Sequence, residues 1–496
     1  MMQKWIRSLL VTVLLTGACR VRAELAEEIK NVLADSLLSH AGVSIDVVRL
    51  GDEPRHCTAV YQYHSELPLA PASNLKLATT SAALDTFGPD FHYRTRLLMH
   101  GRDLVLVGDG DPALGDGESL HKAGWEITTL FHNWAEALVP KGITHIDNVL
   151  VDDSIFDTEF FHPHWDVRQR DQSFSAEVGG LNFNANCVNF FFQVHGDGEA
   201  TTYRADPPTS YLQVENTVLS GASNAIAIRR AADLNAITFT GTCPQSSGVP
   251  ISVPVDDPPL YAATVLANVF KQSGIQVSGK VARDRSIRAM LDHPEAATSP
   301  TQPSEKWTLL AVYETPLSQV LARANKDSVN LYAEALCKRL GFAASRQSGS
   351  WENGTAAIGA FLQKVGVPAD EFHLDDGCGL SHQNGISTNA LVHVLIFNYC
   401  GKNREPFMAS LSISGTDGTL ERRFPGPFAD LRGRVIGKSG FIEGVSSISG
   451  YLHAKDDHWY AFSIIMNGIP HQSNSAIKPL QEAIIRAVDR SVAPTN

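Results

Sequence analysis

Ser73 and Lys76 form the first pair of residues in this chain that suggests catalysis. They lie three positions apart in "SNLK", at the start of a stretch that predicts a helix ending at Gly88 and Pro89. Residues three apart share one face of a helix. A buried lysine with a lowered pKa could therefore take the proton of the serine hydroxyl and make the oxygen a nucleophile. The tetrad alone fits equally well with an ordinary helix start and a solvated lysine.

Two further groups of residues carry hydroxyl, amide and ammonium functions. Ser328 and Asn330 stand two apart, just before a predicted helix, where both side chains can project from one tight loop. The alternative for this pair is a helix cap. Lys438, Ser439 and Gly440 lie in a predicted strand, where the glycine lets a substrate backbone approach closely. The alternative for this trio is an edge-strand lysine that discourages aggregation.

In this order, the motifs S-x-x-K, S-x-N and K-[ST]-G resemble the signature of penicillin-binding proteins and serine β-lactamases. Ser73 and Ser328 are 255 residues apart, and this long insertion is similar to that of the D-alanyl-D-alanine carboxypeptidase/endopeptidase family typified by penicillin-binding protein 4, peptidase family S13. "GDGDPAL", "DDSIFD", "LNFNANCV", "DGCGLSHQNGIST" and "SGTDGTLERRF" look like blocks of the same family. The resemblance covers nearly the whole chain after residue 23.

The resemblance implies a serine D,D-peptidase that acts through a seryl acyl-enzyme. Its substrates would be the D-Ala-D-Ala ends of peptidoglycan stem peptides and their D-configured cross-links, and β-lactam antibiotics would be covalent inhibitors. Ser73 would be the nucleophile, Lys76 the general base, and Ser328 the relay that returns the proton to the leaving amine. The family chemistry implies neither a metal nor an organic cofactor.

The same resemblance assigns the binding residues. Asn330 would hold the substrate amide, and Lys438 with Ser439 would bind the terminal carboxylate, as an anionic substrate end requires. Gly440 would let the substrate backbone approach. The backbone N–H groups of the nucleophile and of Phe441 would form the oxyanion hole.

Several positions differ from the family pattern or leave alternatives. The strand reads K-S-G-F-I where K-T-G-T-[LM] is usual, so Phe441 replaces a threonine expected to help bind carboxylate. The balance between carboxypeptidase and endopeptidase activity is therefore open. Cys378 stands where the family generally has serine. Asp166, in "HWDVRQRDQSF", matches an acid that would bind the amino group of the stem peptide, and Asp171 is the alternative.

The elements that position these residues predict a multidomain α/β (α+β) protein. Three strand-like runs and a final helix near the C-terminus, with two strand-like runs near the N-terminus, predict halves of one domain with an antiparallel sheet and flanking helices. The resemblance implies that this domain is the penicillin-binding, serine β-lactamase-like transpeptidase fold, with a large, mostly β insertion. The predicted parts are a signal peptide (1–23), the catalytic domain (24–90 plus 300–496), an inserted domain (91–180 plus 256–299) and a nested β-rich domain (181–255).

Composition and the N-terminus bear on location and partners. The 496 residues carry a formal net charge of -12, which argues against nucleic acid or anionic lipid as the main partner. A basic start, an apolar run too short to span a bilayer and "VRA" predict a signal peptide cleaved after Ala23, hence export to the periplasm or cell envelope. Lipidation at Cys19 is the alternative, and peripheral membrane association and oligomeric state stay open. Export permits disulfides, and Cys187 with Cys243 is a plausible pair.

Two other functions compete with the peptidase. One is a β-lactamase or esterase on the same scaffold, which needs a positioned carboxylate for fast deacylation, and the sequence offers no clear E-x-x-x-N loop. The other is a catalytically weak cell-wall-binding relative. The changes at Phe441 and Cys378 favour that second alternative, whereas retention of the three motifs opposes it.

Overall fold

The computed structural model describes residues 23–231, 235–246, 248–292, 306–470 and 474–492. Cys19, the predicted signal peptide up to residue 22, and residues 293–305 lie outside the described residues. The chain divides into two compact units: unit 1 (Met1–Pro89, Leu321–Val329 and Thr355–Asn496) and unit 2 (Asp90–Val320 and Asn330–Gly354). The boundaries given above for the catalytic, inserted and nested domains stay a prediction.

The helices of the described ranges are mostly short, and none has both the length and the apolar character needed to cross a bilayer. They are α1 (23–33), α2 (Lys76–Phe87), α3 (Gly117–Lys122), α4 (Thr129–Leu138), α5 (Pro258–Gln272), α6 (Ile287–Asp292), α7 (Leu317–Asn325), α8 (Asn330–Ser345), α9 (Trp351–Lys364), α10 (Thr388–Cys400), α11 (Arg404–Ala409) and α12 (Asn474–Ser491). Helix α1 ends at residue 33 and is followed by a short 3-10 turn at Ser36–Leu38.

The strands are numbered along the chain. They are β1 (Gly42–Arg49), β2 (Thr58–Tyr63), β3 (His92–His100), β4 (Asp103–Val107), β5 (His145–Ile146), β6 (Val149–Asp152), β7 (Cys187–Gln193), β8 (Thr202–Asp206), β9 (Gln213–Asn216), β10 (Leu219–Ser220), β11 (Ala227–Arg230), β12 (Ala236–Thr240), β13 (Thr242–Cys243), β14 (Ile251–Pro254), β15 (Gln276–Val277), β16 (Val281–Arg283), β17 (Thr308–Pro316), β18 (Phe372–His373), β19 (Gly385–Ile386), β20 (Ser412–Ile413), β21 (Val435–Ile442), β22 (Val445–His453) and β23 (Trp459–Asn467).

Unit 1 is built on a six-stranded antiparallel sheet in the order β2-β1-β23-β22-β21-β20. Strands from both ends of the chain therefore share one sheet. Alternate side chains of β1, β22 and β23 form an apolar face that packs in one core with α1 and α12. This core contains Ile45, Ile448 and Ile464 from the strands, and Ile477 and Ile484 from α12.

The opposite face of the sheet carries small polar side chains. Ser44, Ser449 and Ser463 are buried there, and the Ser449 and Ser463 hydroxyls lie 2.8 Å apart. The Ser44 hydroxyl lies 2.7 Å from the hydroxyl of Thr388 at the start of α10. Small hydroxyl side chains let helices approach the sheet closely while their polar groups stay hydrogen-bonded. Helix α2 lies on this side, buried along most of its length.

Unit 2 contains a five-stranded mixed sheet in the order β16-β6-β4-β3-β17, and the small sheets formed by β7 to β14. Helix α5 packs against this mixed sheet in a large apolar core. Cys187 and Cys243 belong to that core as free thiols, so the pair considered plausible from the sequence is not bonded in this structure. Burial raises the pKa of the Cys187 thiol to about 12, which keeps it protonated and unreactive.

Candidate active site

Ser73 and Lys76 meet at the junction of a 3-10 turn and a helix. The turn covers Ala72–Leu75, and α2 begins at Lys76. The ammonium Nζ of Lys76 donates to Ser73 Oγ at 2.8 Å. Lys76 is fully buried, although a lysine is seldom buried without partners. The spacing read from the sequence therefore brings a serine hydroxyl and a desolvated amine into direct contact.

The backbone before Ser73 is strained. Ala72 has a φ of 47°, which L-residues with a β-carbon rarely adopt and which costs about 1–2 kcal/mol. The carbonyl of Ala72 packs against Gly379, where an added Cβ would lie 1.9 Å from that oxygen. Only glycine fits at position 379, because it also has a φ of 83°. The packing of this loop holds the turn that presents Ser73.

The loop with Gly379 also supplies a second acceptor to Lys76, whose Nζ donates to the Cys378 carbonyl at 3.0 Å. The buried carboxylate of Asp376 organises this loop by accepting from the backbone amides of Cys378, Gly379 and Ser381 at 3.2, 2.7 and 2.7 Å. Position 378 thus contributes its main chain to the site. From the sequence we considered the side chain of Cys378 and missed the role of Asp376, although Asp376 begins the same "DGCG" segment.

Ser328 and Lys438 form the second contact pair of the site. Ser328 has a φ of 60°, in the short loop after α7. Its hydroxyl accepts from Lys438 Nζ at 2.8 Å, and the same ammonium donates to the Ser439 carbonyl at 2.7 Å. Lys438 is fully buried. Burial, and then the nearby charge of Lys76, hold the pKa of Lys438 well below its usual value.

Asn74 and Gly440 fix the turn of Ser73 against the sheet. With its amide in the orientation that satisfies both atoms, Asn74 donates to the Lys438 carbonyl at 2.8 Å and accepts from the Ile448 amide at 3.2 Å. A Cβ on Gly440 would lie 2.8 Å from the Ser73 amide nitrogen. The glycine is therefore required because the nucleophile's own backbone approaches the strand. Sequence reasoning missed Asn74, a polar residue in a mostly apolar run.

An open cavity of about 350 Å³ lies over these groups in unit 1. Phe441 is 49% exposed at this cavity, an unusual exposure for a large apolar side chain. The residues that line it are Ser73, Ser328, Thr419, Arg423, Ser439, Gly440, Phe441, Ser446 and Lys478. The structure thus brings together the first and third motifs and the serine of the second motif.

Asn330 and the two candidate acids belong to unit 2. Asn330 begins α8, and its side-chain amide donates to the Phe174 carbonyl at 2.8 Å. The carboxylate of Asp166 accepts from Arg168, and those hydrogen bonds lower its pKa. Asp171 accepts from the Arg230 guanidinium at 2.6 Å. Both acids are thus paired with arginine, and the roles predicted for Asn330 and Asp166 stay predictions.

Unit 2 also holds three side chains that could ligate a metal. Ligand atoms of His121, Glu126 and Asp206 lie within 4.8 Å of one another. His121 and Glu126 are exposed, and surface acids often cluster in this way without an ion. This cluster lies outside the set of residues that line the cavity of unit 1 and has no part in the chemistry proposed below.

Comparisons with known proteins extend over nearly the whole chain. The profile of the D-Ala-D-Ala carboxypeptidase 3 (S13) family matches residues 25–490. A D-alanyl-D-alanine carboxypeptidase from Actinomadura sp. (strain R39) is 27% identical, over 93% of this chain and 84% of the relative. The crystal structure of penicillin-binding protein 4 from Haemophilus influenzae matches with a TM-score of 0.74 and 22% identity, over 93% of this chain and 99% of that chain.

A third, more distant relative is a predatory endopeptidase from Bdellovibrio bacteriovorus, whose crystal structure shows it acylated by penicillin G. It matches with a TM-score of 0.51 and 15% identity, over 92% of this chain and 94% of that chain. The two solved structures confirm the predicted fold class, and the profile match confirms the predicted family and enzyme class. The chain belongs to the D-Ala-D-Ala carboxypeptidase 3 (S13) family of serine peptidases.

Proposed function

We propose that this chain is an exported serine D,D-peptidase of the cell envelope. It hydrolyses the bond between the two terminal D-alanines of peptidoglycan stem peptides, and D-configured peptide cross-links. The observation that carries this proposal is the 2.8 Å contact between Lys76 Nζ and Ser73 Oγ at a cavity that Ser328 also lines. The names of the relatives, D-alanyl-D-alanine carboxypeptidase and endopeptidase, support the choice of substrate.

Acylation begins when Ser73 Oγ attacks the carbonyl carbon of the penultimate D-alanine. The hydroxyl proton passes to a neutral Lys76 Nζ as the new oxygen–carbon bond forms. Lys76 is fully buried, and removal from water disfavours the charged form of an amine, which is the condition under which a lysine can act as a base. No histidine is needed in this arrangement.

Charge that develops on the carbonyl oxygen needs donors already in place. The backbone N–H groups of Ser73 and Phe441 are the proposed donors. Each donor of an oxyanion hole contributes about 10²–10³-fold to the rate. The close packing of Gly440 against the Ser73 amide sets the distance between the turn and the strand that carry these two groups. The oxyanion hole therefore depends on the glycine between Ser439 and Phe441.

Ser328 then returns the proton. Its hydroxyl relays the proton held by Lys76 to the nitrogen of the terminal D-alanine, the C–N bond breaks, and free D-alanine leaves. The hydrogen bond from Lys438 to Ser328 orients that hydroxyl. In the second half of the reaction, water attacks the ester carbon, the base takes one water proton, and Ser73 Oγ leaves with a proton restored.

β-Lactam antibiotics enter the same pathway as substrate mimics. Ser73 attacks the lactam carbonyl, and the ring-opened acyl group stays attached because its leaving nitrogen cannot diffuse away. The acylation of the Bdellovibrio relative by penicillin G supports this extension to the present chain. Slow release of the penicilloyl group distinguishes a peptidase from the β-lactamase alternative.

Phe441 bears on the choice between carboxypeptidase and endopeptidase activity. Its exposed ring stands where the family pattern has a threonine hydroxyl for the terminal carboxylate. A cross-link has a longer acceptor strand beyond the scissile bond, and an exposed ring can contact that strand. We therefore propose that the loss of the threonine reduces cross-link cleavage less than it reduces release of the terminal D-alanine.

Export is proposed on the N-terminal sequence alone. The basic start, the short apolar run and the small residue at Ala23 support removal of a signal peptide, and with it a periplasmic or envelope location. Edman sequencing of the protein purified from its native host tests this, because a mature N-terminus at Glu24 is expected. A lipid-modified Cys19 at the N-terminus would contradict cleavage at Ala23.

The function is tested with two substrates, a muropeptide ending in D-Ala-D-Ala and a D-configured cross-linked dimer. Wild type should release D-alanine from the first and monomers from the second, whereas Ser73→Ala should do neither. Ser81→Ala is a matched serine control in α2, outside the set of residues that line the cavity, and should keep activity. Absence of turnover in wild type on both substrates would contradict the peptidase.

A further inference from the structure

The cavity has a second side, formed by the face of the sheet that α12 covers. Side chains alternate along β21, so Ser439 and Phe441 lie on the face opposite to Lys438. In the strand register, Ser439 pairs with Ile448, which belongs to the core shared with α12. Ser446 pairs with Phe441, and its hydroxyl accepts from the Gln481 amide of α12 at 3.1 Å. The N-terminal part of α12 therefore borders this side.

Two cations line this side, and only one has a counter-ion. Arg423 is 5% exposed and donates to the Glu482 carboxylate at 2.6 Å, to the Gln481 side-chain oxygen at 3.1 Å and to the Lys478 carbonyl at 3.4 Å. Arg423 thus holds the first turns of α12 in place. Lys478 has no ion-pair partner within 4.0 Å in the described part of the chain.

The environment of Lys478 favours an anion. Partial burial first, and the Arg423 guanidinium second, lower the pKa of Lys478, whereas the Glu482 carboxylate that pairs with Arg423 acts in the opposite direction. Three hydroxyls, those of Thr419, Ser439 and Ser446, belong to residues that line the same cavity. An entering carboxylate would relieve the repulsion between the two cations and accept hydrogen bonds from the hydroxyls.

We propose that Lys478, positioned by Arg423, binds the free terminal carboxylate of the substrate, together with the hydroxyls of Ser439, Ser446 and Thr419. This inference rests on the proposed function, since it names the subsite that recognises the carboxyl end of the same substrate. The positive charge of Lys478, in α12, would then bind the carboxylate in place of the threonine hydroxyl that the family pattern has at position 441.

Lys438 and Lys478 then have different functions. Lys438 is fully buried, and its ammonium is bonded to Ser328 and the Ser439 carbonyl, so it serves the proton relay. Lys478 is partly exposed and lines the open cavity, so a carboxylate reaches it without displacing an internal hydrogen bond of that relay. Lys478 is a binding residue for substrate and takes no part in proton transfer.

The test compares one acyl-D-Ala-D-Ala peptide as the free acid and as its C-terminal amide. Wild type should prefer the acid, and Lys478→Gln should lose about 10- to 100-fold in kcat/KM on the acid, mainly through KM. The variant should act on the amide as wild type does. Lys478→Arg should restore the preference for the acid. Lys30→Gln, a change at an exposed lysine of α1, is the matched control and should leave both rates unchanged.

Each outcome has a defined meaning. Equal losses on acid and amide would overturn the inference, because a residue that binds the terminal carboxylate affects only the free-acid peptide. Thermal melts of each variant show whether a loss of activity comes from unfolding. A Lys478→Gln variant with wild-type kinetics on both peptides would overturn the inference and leave the peptidase standing. Failure of wild type on both peptides, and on the muropeptides above, would overturn the proposed function and this inference together.

Discussion

Lys438 in unit 1 and Lys338 in unit 2 are both fully buried, but their ammonium groups have different partners. Lys338 donates to the Asp157 carboxylate at 2.8 Å and lies 3.7 Å from the ring centroid of Trp351. Lys438 donates to a serine hydroxyl and a backbone carbonyl. The first lysine donates to a charged acceptor, whereas both of these hydrogen-bond acceptors of the second lysine are neutral.

The pKa shifts show what this difference means. Burial lowers the pKa of both lysines. At Lys338 the Asp157 charge opposes that effect, whereas at Lys438 the charge of Lys76 adds to it. A buried lysine that stabilises the fold keeps its charge balanced, and one that serves chemistry is held where its charge is costly. Of these two lysines, the one bonded to a carboxylate belongs to the packing of unit 2, and the one bonded to Ser328 belongs to the candidate active site.

The largest effect is expected at Lys76. Replacement of Lys76 by alanine removes the proposed base and should slow acylation of Ser73 by a fluorescent penicillin by about 10³-fold or more. Thermal unfolding serves as the control, because the variant must still fold. Acylation within tenfold of wild type would mean that another group takes the serine proton.

The two buried lysines should respond in opposite ways to replacement by methionine. Lys438→Met should slow acylation by about 100-fold, while the free energy of unfolding stays unchanged or rises, since a costly buried charge is removed. Lys338→Met leaves Asp157 without its partner and should cost about 3 kcal/mol in stability, with acylation by the folded fraction retained.

Urea unfolding and penicillin acylation, measured on both variants, check this pair of predictions. A stability loss at Lys438 as large as the one at Lys338 would show that both lysines are structural. An acylation loss at Lys338→Met in fully folded protein would show that the distinction drawn from their partners does not hold.

Gly440→Ala tests the close packing of the site with a single added methyl group. Its Cβ would meet the Ser73 amide nitrogen and the Pro71 carbonyl at 2.8 and 2.9 Å, both backbone atoms. The turn and the strand must separate by several tenths of an ångström, and acylation should fall by about 10- to 100-fold. Gly444→Ala, in the turn after β21 where no atom lies within 4 Å of an added Cβ, is a glycine control for stability. Unchanged acylation in Gly440→Ala would contradict the close packing of the strand against the turn of Ser73.

The smallest effect on acylation is expected at Asp46 in unit 1, where the predicted change is one of stability. Burial raises the pKa of this carboxyl from 3.8 to about 7. The folded state thus binds the proton more tightly than the unfolded state, so this contribution to stability is complete below pH 3.8 and is lost as pH rises through 7. Asp46→Asn, which cannot ionise, should be more stable than wild type by on the order of 4 kcal/mol at pH 8.5.

Thermal melts at two pH values check the Asp46 prediction. The difference in Tm between Asp46→Asn and wild type should be largest at pH 8.5 and should vanish near pH 4. A difference that stays the same at both pH values would assign the effect to packing.

Local patterns in the sequence predicted the elements that the motifs occupy. The helix after Ser73 ends at Phe87, before Gly88, and the three strand-like runs near the C-terminus are strands β21 to β23. These features depend on hydrophobic periodicity and on turn residues, and both signals lie within a short stretch of sequence. The three-residue spacing of Ser73 and Lys76 predicted that they share one face, and in the structure their contact forms at the junction of the 3-10 turn and α2.

The rest of the site depends on residues that are distant along the chain. Nothing near Lys76 indicates that the Cys378 carbonyl accepts its hydrogen bond, or that Asp376 shapes that loop. The cations Arg423 and Lys478 reach the cavity through α12, and only the three-dimensional packing shows this. The sequence also did not indicate that Asp166 pairs with Arg168, although the two residues are only two positions apart.

The most direct test of the central claim is the mass of the protein after reaction with penicillin G. Intact-mass and peptide-mapping measurements should find one penicilloyl group per wild-type chain, located on the peptide that contains Ser73, and none on Ser73→Ala. An adduct on another residue, or an unmodified wild-type chain at saturating penicillin, would contradict the assignment of Ser73 as the nucleophile.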